Sequence, residues 1–528
     1  METESTSVLI VGGGLAGLSA AVFLSWRGVP ALLVERHTGS SPHPRAVGFT
    51  PRTLELYRAA GLGPRVPQAP PGLRLRRARV RSLAGEWFEE SSWTPGADDG
   101  PTIEQSPCTG AAIAQDRLEP LLRDRAVELG ADVRFGTELV SWHQDADGVR
   151  AVLRTRDGAE HRVRSDYLIA ADGTRSPVRE ALKIGRSGRG HLRTSRSVLF
   201  TAPLEEYLKA GVSQFEIDRP GLQGFLTTYG DGRWVLMFAD DEDRDEDTLK
   251  AMVLQAIGRT DLPVELVTTG RWELGALVAD RFTSGRVFLA GDAAHTLPPS
   301  RGGYGANTGI EDVHNLAWKL SAVLSGESAP GLLGTYEPER HPIAWLRHEQ
   351  IFARADYSRH AGGAAGATII DDEAMEFGQL YRSAAVLSAG DDLPPAARPE
   401  QWAGQPGTRA PHLWLTRDGE RLSTLDLFQR GWVLLSGNDH WAAAAGRAGE
   451  LTGVPVDHQR IGGTLLPDEP EAFPRAFGLS ADGAALVRPD GYIAWRSRDL
   501  PAEPAGALTE ALSQVSFATH TATTAPAA

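Results

Sequence analysis

One cysteine, Cys108, stands in a chain of 528 residues. No intrachain disulfide and no cysteine metal cluster can form, which suits a reducing cytosol. A lone cysteine reads as buried filler rather than as a nucleophile. Positive charge is also short. Lys and Arg number 54 against 68 Asp and Glu, for a net charge of −14. That balance argues against nucleic acid or an anionic membrane as the main partner. No apolar run approaches the roughly 20 residues of a membrane span. The start, METESTSVLIVGGG, has no basic stretch ahead of a long apolar core, so no signal peptide is expected and the expected location is the cytoplasm. The basic cluster RLRRARVR at residues 74–81 alternates as an exposed strand face does.

What is present begins with a βαβ unit, SVLIVGGGLAGLSAAVFLSWRGVPALLVERH. Residues 8–11 form an apolar run of strand length. Gly12, Gly14 and Gly17 make G-x-G-x-x-G at the junction with a helix, on which Leu15, Leu18, Val22 and Phe23 form an apolar stripe. Gly12 allows the tight turn, Gly14 lets a pyrophosphate approach the backbone, and Gly17 lets helix pack on strand. The helix N-terminus offers free N–H groups and partial positive charge to an anion. Glu35 ends the second strand at the spacing of a ribose-binding carboxylate. The unit points to a dinucleotide, and by itself does not separate FAD from NAD.

Two later landmarks share that form. YLIAADGTRSPVRE carries an apolar strand into Asp172-Gly173, with a helix start at residues 176–180; taken alone it is an ordinary Asp-Gly turn. GRVFLAGD is a strand ending in Gly291-Asp292, a carboxylate placed to reach a sugar or ribityl hydroxyl. Pro298 and Pro299 stiffen the loop that follows. Gly302, Gly303 and Gly305 let backbone approach a flat ligand. Thr308 and Glu311 read as a capping box opening a helix with Ile310, Val313, Leu316, Ala317, Leu320 and Leu324 on its apolar face. Its positive end would stabilise a reduced flavin.

In order and spacing, these three landmarks resemble the class A FAD-dependent aromatic hydroxylases of the p-hydroxybenzoate hydroxylase type, over roughly the first 370 residues. The length and tail resemble the aromatic polyketide hydroxylases, and the oxygenases of indolocarbazole biosynthesis are similar. The resemblance implies roles. Gly12, Gly14, Leu15, Ala16, Gly17, Glu35 and Arg36 would bind the adenosine half of FAD. Arg45 would sit near the flavin, and Gln115 would touch the cofactor. Asp172 and Gly173 would help bind FAD and NADPH, and Asp292 would hold the ribityl chain. Pro299 would lie by the reactive edge, with Gly302, Gly303, Gly305, Ala306 and Asn307 on the pyrimidine side.

The implied fold is α/β: a Rossmann-like FAD-binding domain from residues 1–180 and 275–390, an antiparallel-sheet substrate domain over 181–274 joined by part of 71–110, and a thioredoxin-like C-terminal domain over 400–520. In the middle domain Phe225, Tyr229, Trp234 and Met237 are candidates for lining an aromatic pocket, or for plain sheet core; Tyr304 is a further substrate candidate. The acidic DDEDRDEDTLK reads as a solvated turn and helix start. Residues 361–367 and the Pro-rich stretch at 394–415 read as connections. Strand-rich segments follow, with no cysteine for thiol redox chemistry, so a structural or assembly role is expected there. The end, THTATTAPAA, reads as disordered.

The resemblance implies a monooxygenase. NADPH or NADH would reduce FAD, molecular oxygen would form a flavin C4a-hydroperoxide, and a polycyclic aromatic substrate of polyketide type would take one oxygen atom. The cofactor carries the chemistry while the protein positions it and excludes water. No residue is assigned as acid or base, and His295 reads as structural. Baeyer–Villiger oxidation, epoxidation and oxidative decarboxylation on the same scaffold stay open, as does a non-catalytic flavoprotein that binds an aromatic metabolite. No Trp-x-Trp-x-Ile-Pro segment of a flavin halogenase is present. The expected assembly is a monomer or homodimer.

Overall fold

The computed structural model describes residues 3–71, 76–92, 103–299, 303–354, 357, 360, 367–428 and 430–519. The central strand, Thr3–Val11, enters the interior at Val8 and stays buried to Val11. It pairs in parallel with Ala31–Glu35 on one side and Glu160–Ala170 on the other. Beyond these lie Asp132–Phe135 and Val287–Leu289, again parallel. The crossover helix Leu15–Trp26 is buried along almost its whole length. Such apolar runs are what parallel strands covered on both faces require. The hairpin of Thr137–Asp145 and Gly148–Thr155 attaches antiparallel to Glu160–Ala170.

A second sheet has eight strands in the spatial order His295–Thr296, Glu265–Ala279, Arg186–Thr201, Arg233–Phe238, Leu222–Thr228, Gln214–Arg219, Arg76–Val80 and Trp87–Ser92. Its helix Glu246–Ile257 is capped by Asp245, whose carboxylate accepts from Thr248 N at 2.8 Å; the acidic run is thus a helix start, as its composition suggests. That helix covers one face through Leu249 and Val253, against Val198, Phe200, Phe215, Leu236 and Phe238.

Trp234 belongs to this helix-covered core as well, 1% exposed and close to Phe215. Its alternation with Val235 and Met237 turns it away from the face that carries Phe225 and Met237, which are direct cross-strand partners. Of the two readings, pocket lining or sheet core, Trp234 takes the core one, and strand parity sets it apart from Phe225 and Met237.

The C-terminal unit is built on a four-stranded sheet ordered Val456–Arg460, Trp432–Ser436, Ala484–Val487, Ile493–Ser497. The first pair is parallel and the other two are antiparallel. The helices His440–Thr452 and Pro504–Ser516 pack together in its core. Its core takes in Trp318 and Ala322 from the helix Tyr304–Leu324, beside Trp432 and Trp441.

The Pro-rich stretch expected as a domain linker is fastened down. Trp402 Nε1 donates to Gly378 O at 2.8 Å, and Arg409 pairs with Glu55. Gly407 N donates to Ile493 O, and Ile493 N to Thr408 O. Backbone pairing of this kind removes the freedom that composition alone suggests. The connection expected at residues 361–367 falls almost wholly outside the described residues, as does the tail.

Candidate active site

Four of the chemically distinctive positions lie at the carboxyl ends of four adjacent parallel strands. Across the sheet they run Asp292, Asp172, Gly12 and Glu35. The strand ends are stitched in sequence: Ala290 N donates to Ala170 O, Ala171 N to Val11 O, and Gly12 N to Val34 O. Open α/β sheets bind ligands in the crevice outside these ends.

The glycines fit a dinucleotide in distinct ways. Gly12 has φ +107°, and a Cβ there would stand 2.2 Å from Ala171 O. A Cβ on Gly17 would meet Gly12 O at 1.9 Å, so helix and turn touch directly. Gly14 is different. Its nearest neighbour in the Cβ direction is Glu119 Oε1, at 4.0 Å. The space over Gly14 is open, and no side chain caps the helix that starts there. Free N–H groups and open space are what a pyrophosphate requires. Glu35 Oε2 accepts from Gly13 N at 2.7 Å, and its Oε1 from His37 N at 2.8 Å. This fixes the carboxylate at the carboxyl end of its strand. Arg36 is exposed beside it.

Asp172 Oδ2 accepts from Val178 N at 3.0 Å, whereas its buried Oδ1 has no partner. Burial pushes this carboxyl up from its ordinary range, against hydrogen bonds from Ser176 and Val178 N that favour the charge. The expected helix start follows, with Ser176 accepting from Arg179 N. Gly173, in the same turn, has φ +81°. Asp292 is half-buried, with Thr174 Oγ1 at 3.4 Å. A buried acceptor without a donor, beside an open backbone cradle, fits a ligand rich in hydroxyl and N–H groups. The residues present fit FAD.

The loop that begins at Gly291 is held from behind. Gly291 has φ +59° and lies against Ala16 and Gly309. Leu15 is buried beside Ala16 in the same helix. Asp312, fully buried, accepts from Gly291 N at 3.2 Å, His295 Nε2 at 2.7 Å and Arg340 Nε at 2.9 Å. His295 is fully buried behind the loop, tied to Asp312.

The helix Tyr304–Leu324 starts one turn earlier than the capping-box reading expects. Its N-cap is Gly303, at φ +57° and ψ +32°. Thr308 lies inside the helix with its hydroxyl bonded to Tyr304 O. Glu311 pairs with Arg340 and Arg347 rather than with a cap backbone. Hydrogen bonds to Tyr304 O and Arg347 occupy the Thr308 hydroxyl, and tertiary ion pairs occupy Glu311.

Asn307 uses its side chain internally: Oδ1 accepts from Thr50 N and Thr53 Oγ1, and Nδ2 donates to Gly303 O. Gly305 and Ala306 lie in the same first turn. Pro299 is exposed, its carbonyl accepting from Tyr357 at 2.6 Å. Gly302 lies outside the described residues. Tyr304 is buried in a separate cluster with Leu297, Ile351, Phe352 and Met375.

The segment at residues 41–46 links the two sheets. Gln115 Oε1 lies 3.4 Å from Arg45 N and 3.3 Å from Ala46 N, and Gln115 Nε2 donates to Glu119 at 2.6 Å. Arg45 itself is exposed. On the other side, Tyr229 donates to Pro44 O at 2.9 Å, and His43 meets Ser197 at 2.8 Å. The sheet face carrying Ser195, Ser197, Phe225 and Met237 therefore turns toward the nucleotide-binding unit. Sequence reasoning missed His43. Its place two residues before Arg45 was the available signal, but its partner lies 154 residues away.

Comparison with known proteins matches this geometry. Residues 5–350 match the FAD binding domain family, and residues 403–516 match the aromatic-ring hydroxylase C-terminal family. The chain belongs to the FAD-dependent aromatic-ring hydroxylases. It is 42% identical to the tetracenomycin B2 monooxygenase-dioxygenase of Streptomyces olivaceus, covering 98% of this chain and 99% of that protein. It is likewise 42% identical to the 4-methyl-5-nitrocatechol 5-monooxygenase of a Burkholderia species, over 96% and 97% of the two chains. An aklavinone-11 hydroxylase solved with FAD and aklavinone superposes with a TM-score of 0.88 at 38% identity, covering 98% of this chain and all of that one. The chain is a flavin-dependent monooxygenase with FAD as its cofactor. Among the described residues, no helix is long and apolar enough to cross a membrane.

Proposed function

We propose that this monooxygenase hydroxylates a polycyclic aromatic intermediate of polyketide type, with NADPH or NADH as reductant and molecular oxygen as co-substrate. The observation that carries the reading is the alignment of Asp292, Asp172, Gly12 and Glu35 along four neighbouring strand ends, facing the side of the second sheet that carries Ser195, Ser197, Phe225 and Met237. The length-wide likeness to proteins named for tetracenomycin and aklavinone supports the substrate class.

When bound, FAD supplies the electron transfer and oxygen activation that side chains lack. The protein's own residues do the rest. Gly14 and the free helix N-terminus would take the pyrophosphate, Glu35 the adenosine ribose, and Asp292 the ribityl hydroxyls. Gly303 and the first turn of its helix would set positive potential against the pyrimidine side of the ring. The Arg45 segment and the face bearing Phe225 and Met237 would hold the substrate over the ring and exclude water.

The test is oxygen incorporation. The purified holoenzyme is given NADPH, labelled oxygen gas and a panel of polycyclic phenols and nitrocatechols, and product masses are read. One labelled atom in a polycyclic product supports the proposal. Labelling only of a nitrocatechol would replace the substrate class, and NADPH oxidation yielding peroxide alone with every member would count against it.

A further inference from the structure

Glu119 borders the nucleotide cradle. It is 4% exposed and lies on the helix Gln115–Glu128. Its Oε1 is the nearest atom to the space above Gly14, 4.0 Å from where a Cβ would stand. That space is where the pyrophosphate of FAD is placed above, and a pyrophosphate diester carries two negative charges. A buried carboxyl and a dianion would therefore share one cradle.

The surroundings of Glu119 hold little positive charge. Gln115 Nε2 donates to Oε1 at 2.6 Å, and the Ser40 hydroxyl donates as well. Both donors are neutral. From the segment at residues 41–46, Arg45 attracts the charge, but Arg45 is exposed and screened by water. From the second strand Glu35 repels it, and Glu35 is itself held by Gly13 N and His37 N. From the helix Pro51–Ala59, Tyr57 is kept neutral by burial and is bonded to Ser19. The free N–H groups at the start of Leu15–Trp26 would be taken by the phosphates. Burial already pushes the Glu119 carboxyl up from its ordinary range, outweighing the hydrogen bonds that favour its charge. A pyrophosphate over Gly14 adds like charge at short range, which favours the neutral acid further.

We propose that FAD binding takes up one proton at Glu119: near neutral pH the empty cradle holds the carboxylate and the filled cradle the neutral acid. The proton comes from solvent, and the O–H bond is the only one formed. The neutral acid removes a charge from beside the pyrophosphate and still accepts from Gln115, whose own Oε1 faces Arg45 N and Ala46 N. The inference rests on the pyrophosphate lying over Gly14. Affinity for FAD is then highest in mild acid. It falls as pH rises between the ionisation of the empty site and that of the filled one, by roughly tenfold per pH unit, the slope of one proton.

The experiment titrates the full-length apoprotein with FAD between about pH 6 and 9 and reads the change in flavin fluorescence. Wild type is expected to show that slope over part of the range. Glu119→Gln keeps an acceptor for Gln115, and should give a flat profile and bind FAD more tightly than wild type at the alkaline end. A role confined to holding Gln115 would shift affinity equally at every pH. Titration calorimetry in buffers of different ionisation enthalpy reads the proton in wild type without any variant, with about one taken up per FAD where the slope is steepest. No proton uptake would overturn the proposal, as would a slope that survives in Glu119→Gln. Wild-type FAD affinity in Gly14→Ala would instead take the pyrophosphate away from Glu119 and overturn the premise.

Discussion

His295 Nε2 lies 2.7 Å from Asp312 Oδ2, and neither side chain is exposed to solvent. The same carboxylate holds Gly291 N and Arg340 Nε. Burial alone would raise its pKa, yet His295 and Arg340 together hold it below the usual carboxylate range. We predict that Asp312→Asn costs about 3 kcal/mol or more, because an amide N–H₂ would face donors in a buried site. The turn carrying Asp292 should loosen, so less flavin should survive gel filtration. The sign with pH is fixed: a depressed carboxylate stabilises above the unfolded pKa, and that contribution is lost as pH falls through the folded value. Wild type and variant should converge in acid. A urea midpoint for Asp312→Asn equal to wild type at pH 7 would refute the role.

The glycines of the fingerprint separate folding from binding. Gly14 has ordinary backbone angles, φ −81° and ψ −172°, and open space in its Cβ direction. Gly14→Ala should unfold within about 1 kcal/mol of wild type as apoprotein but lose at least about tenfold in FAD affinity, since the methyl occupies pyrophosphate space. Gly17→Ala puts a methyl 1.9 Å from Gly12 O. That collision should cost roughly 1–3 kcal/mol in the apoprotein itself. Thermal unfolding of apoprotein and flavin fluorescence titration read the two effects separately. Equal destabilisation of both variants would remove the distinction.

How far the sequence shows this site follows from how local its parts are. Strand, glycine turn and helix are neighbours in the chain, so residues 8–35 display their geometry directly. The remaining features depend on partners far away. Thr308 and Glu311 satisfy the local capping pattern, but Gly303 starts the helix and Arg340 and Arg347 claim Glu311. Alternation in RWVLMF shows two faces without saying which one a helix covers, and Trp234 falls on the covered one. Cys108 was legible as filler because burial is its ordinary fate; burial pushes its thiol up to about 12, which leaves it unreactive. The contact of His43 required knowledge of Ser197.

Glu376 gives a pH dependence of opposite sign. Burial pushes its carboxyl up to about 7, and the neighbouring Glu55 and Glu311 add to the effect. The folded chain then holds a proton that the unfolded chain releases near pH 4.5. Stability from this group is complete below that pH and is lost as pH rises through about 7. Glu376→Gln keeps an acceptor for Arg52 N, now 2.8 Å from Oε1. The variant should be more stable than wild type at pH 8, by at most about 3 kcal/mol, and the difference should shrink toward pH 5. Urea titrations at both pH values decide it; a constant difference would place the proton elsewhere.

The cysteine-free C-terminal unit is joined to the flavin unit by buried charge. Glu339 accepts from Arg488 at 2.6 and 2.9 Å, from Lys319 at 2.8 Å and from Asn315 at 2.7 Å. Burial outweighs Glu339 at Lys319 and lowers its pKa to about 8. Lys319 lies on the helix that begins at Gly303, so the brace ends at the flavin loop. Glu339→Gln leaves Arg488 and Lys319 without their shared counter-charge and should cost about 3–5 kcal/mol. Lys319→Met in the same background removes one stranded cation and should recover part of that loss, a coupling that a double-mutant cycle measures. Additive effects would mean that the network does not act as one unit. With coupling, wild type should lose both units in a single calorimetric transition, and Glu339→Gln should separate them and release flavin in the first step. Flavin held through the first transition would show that the C-terminal unit does not brace the site.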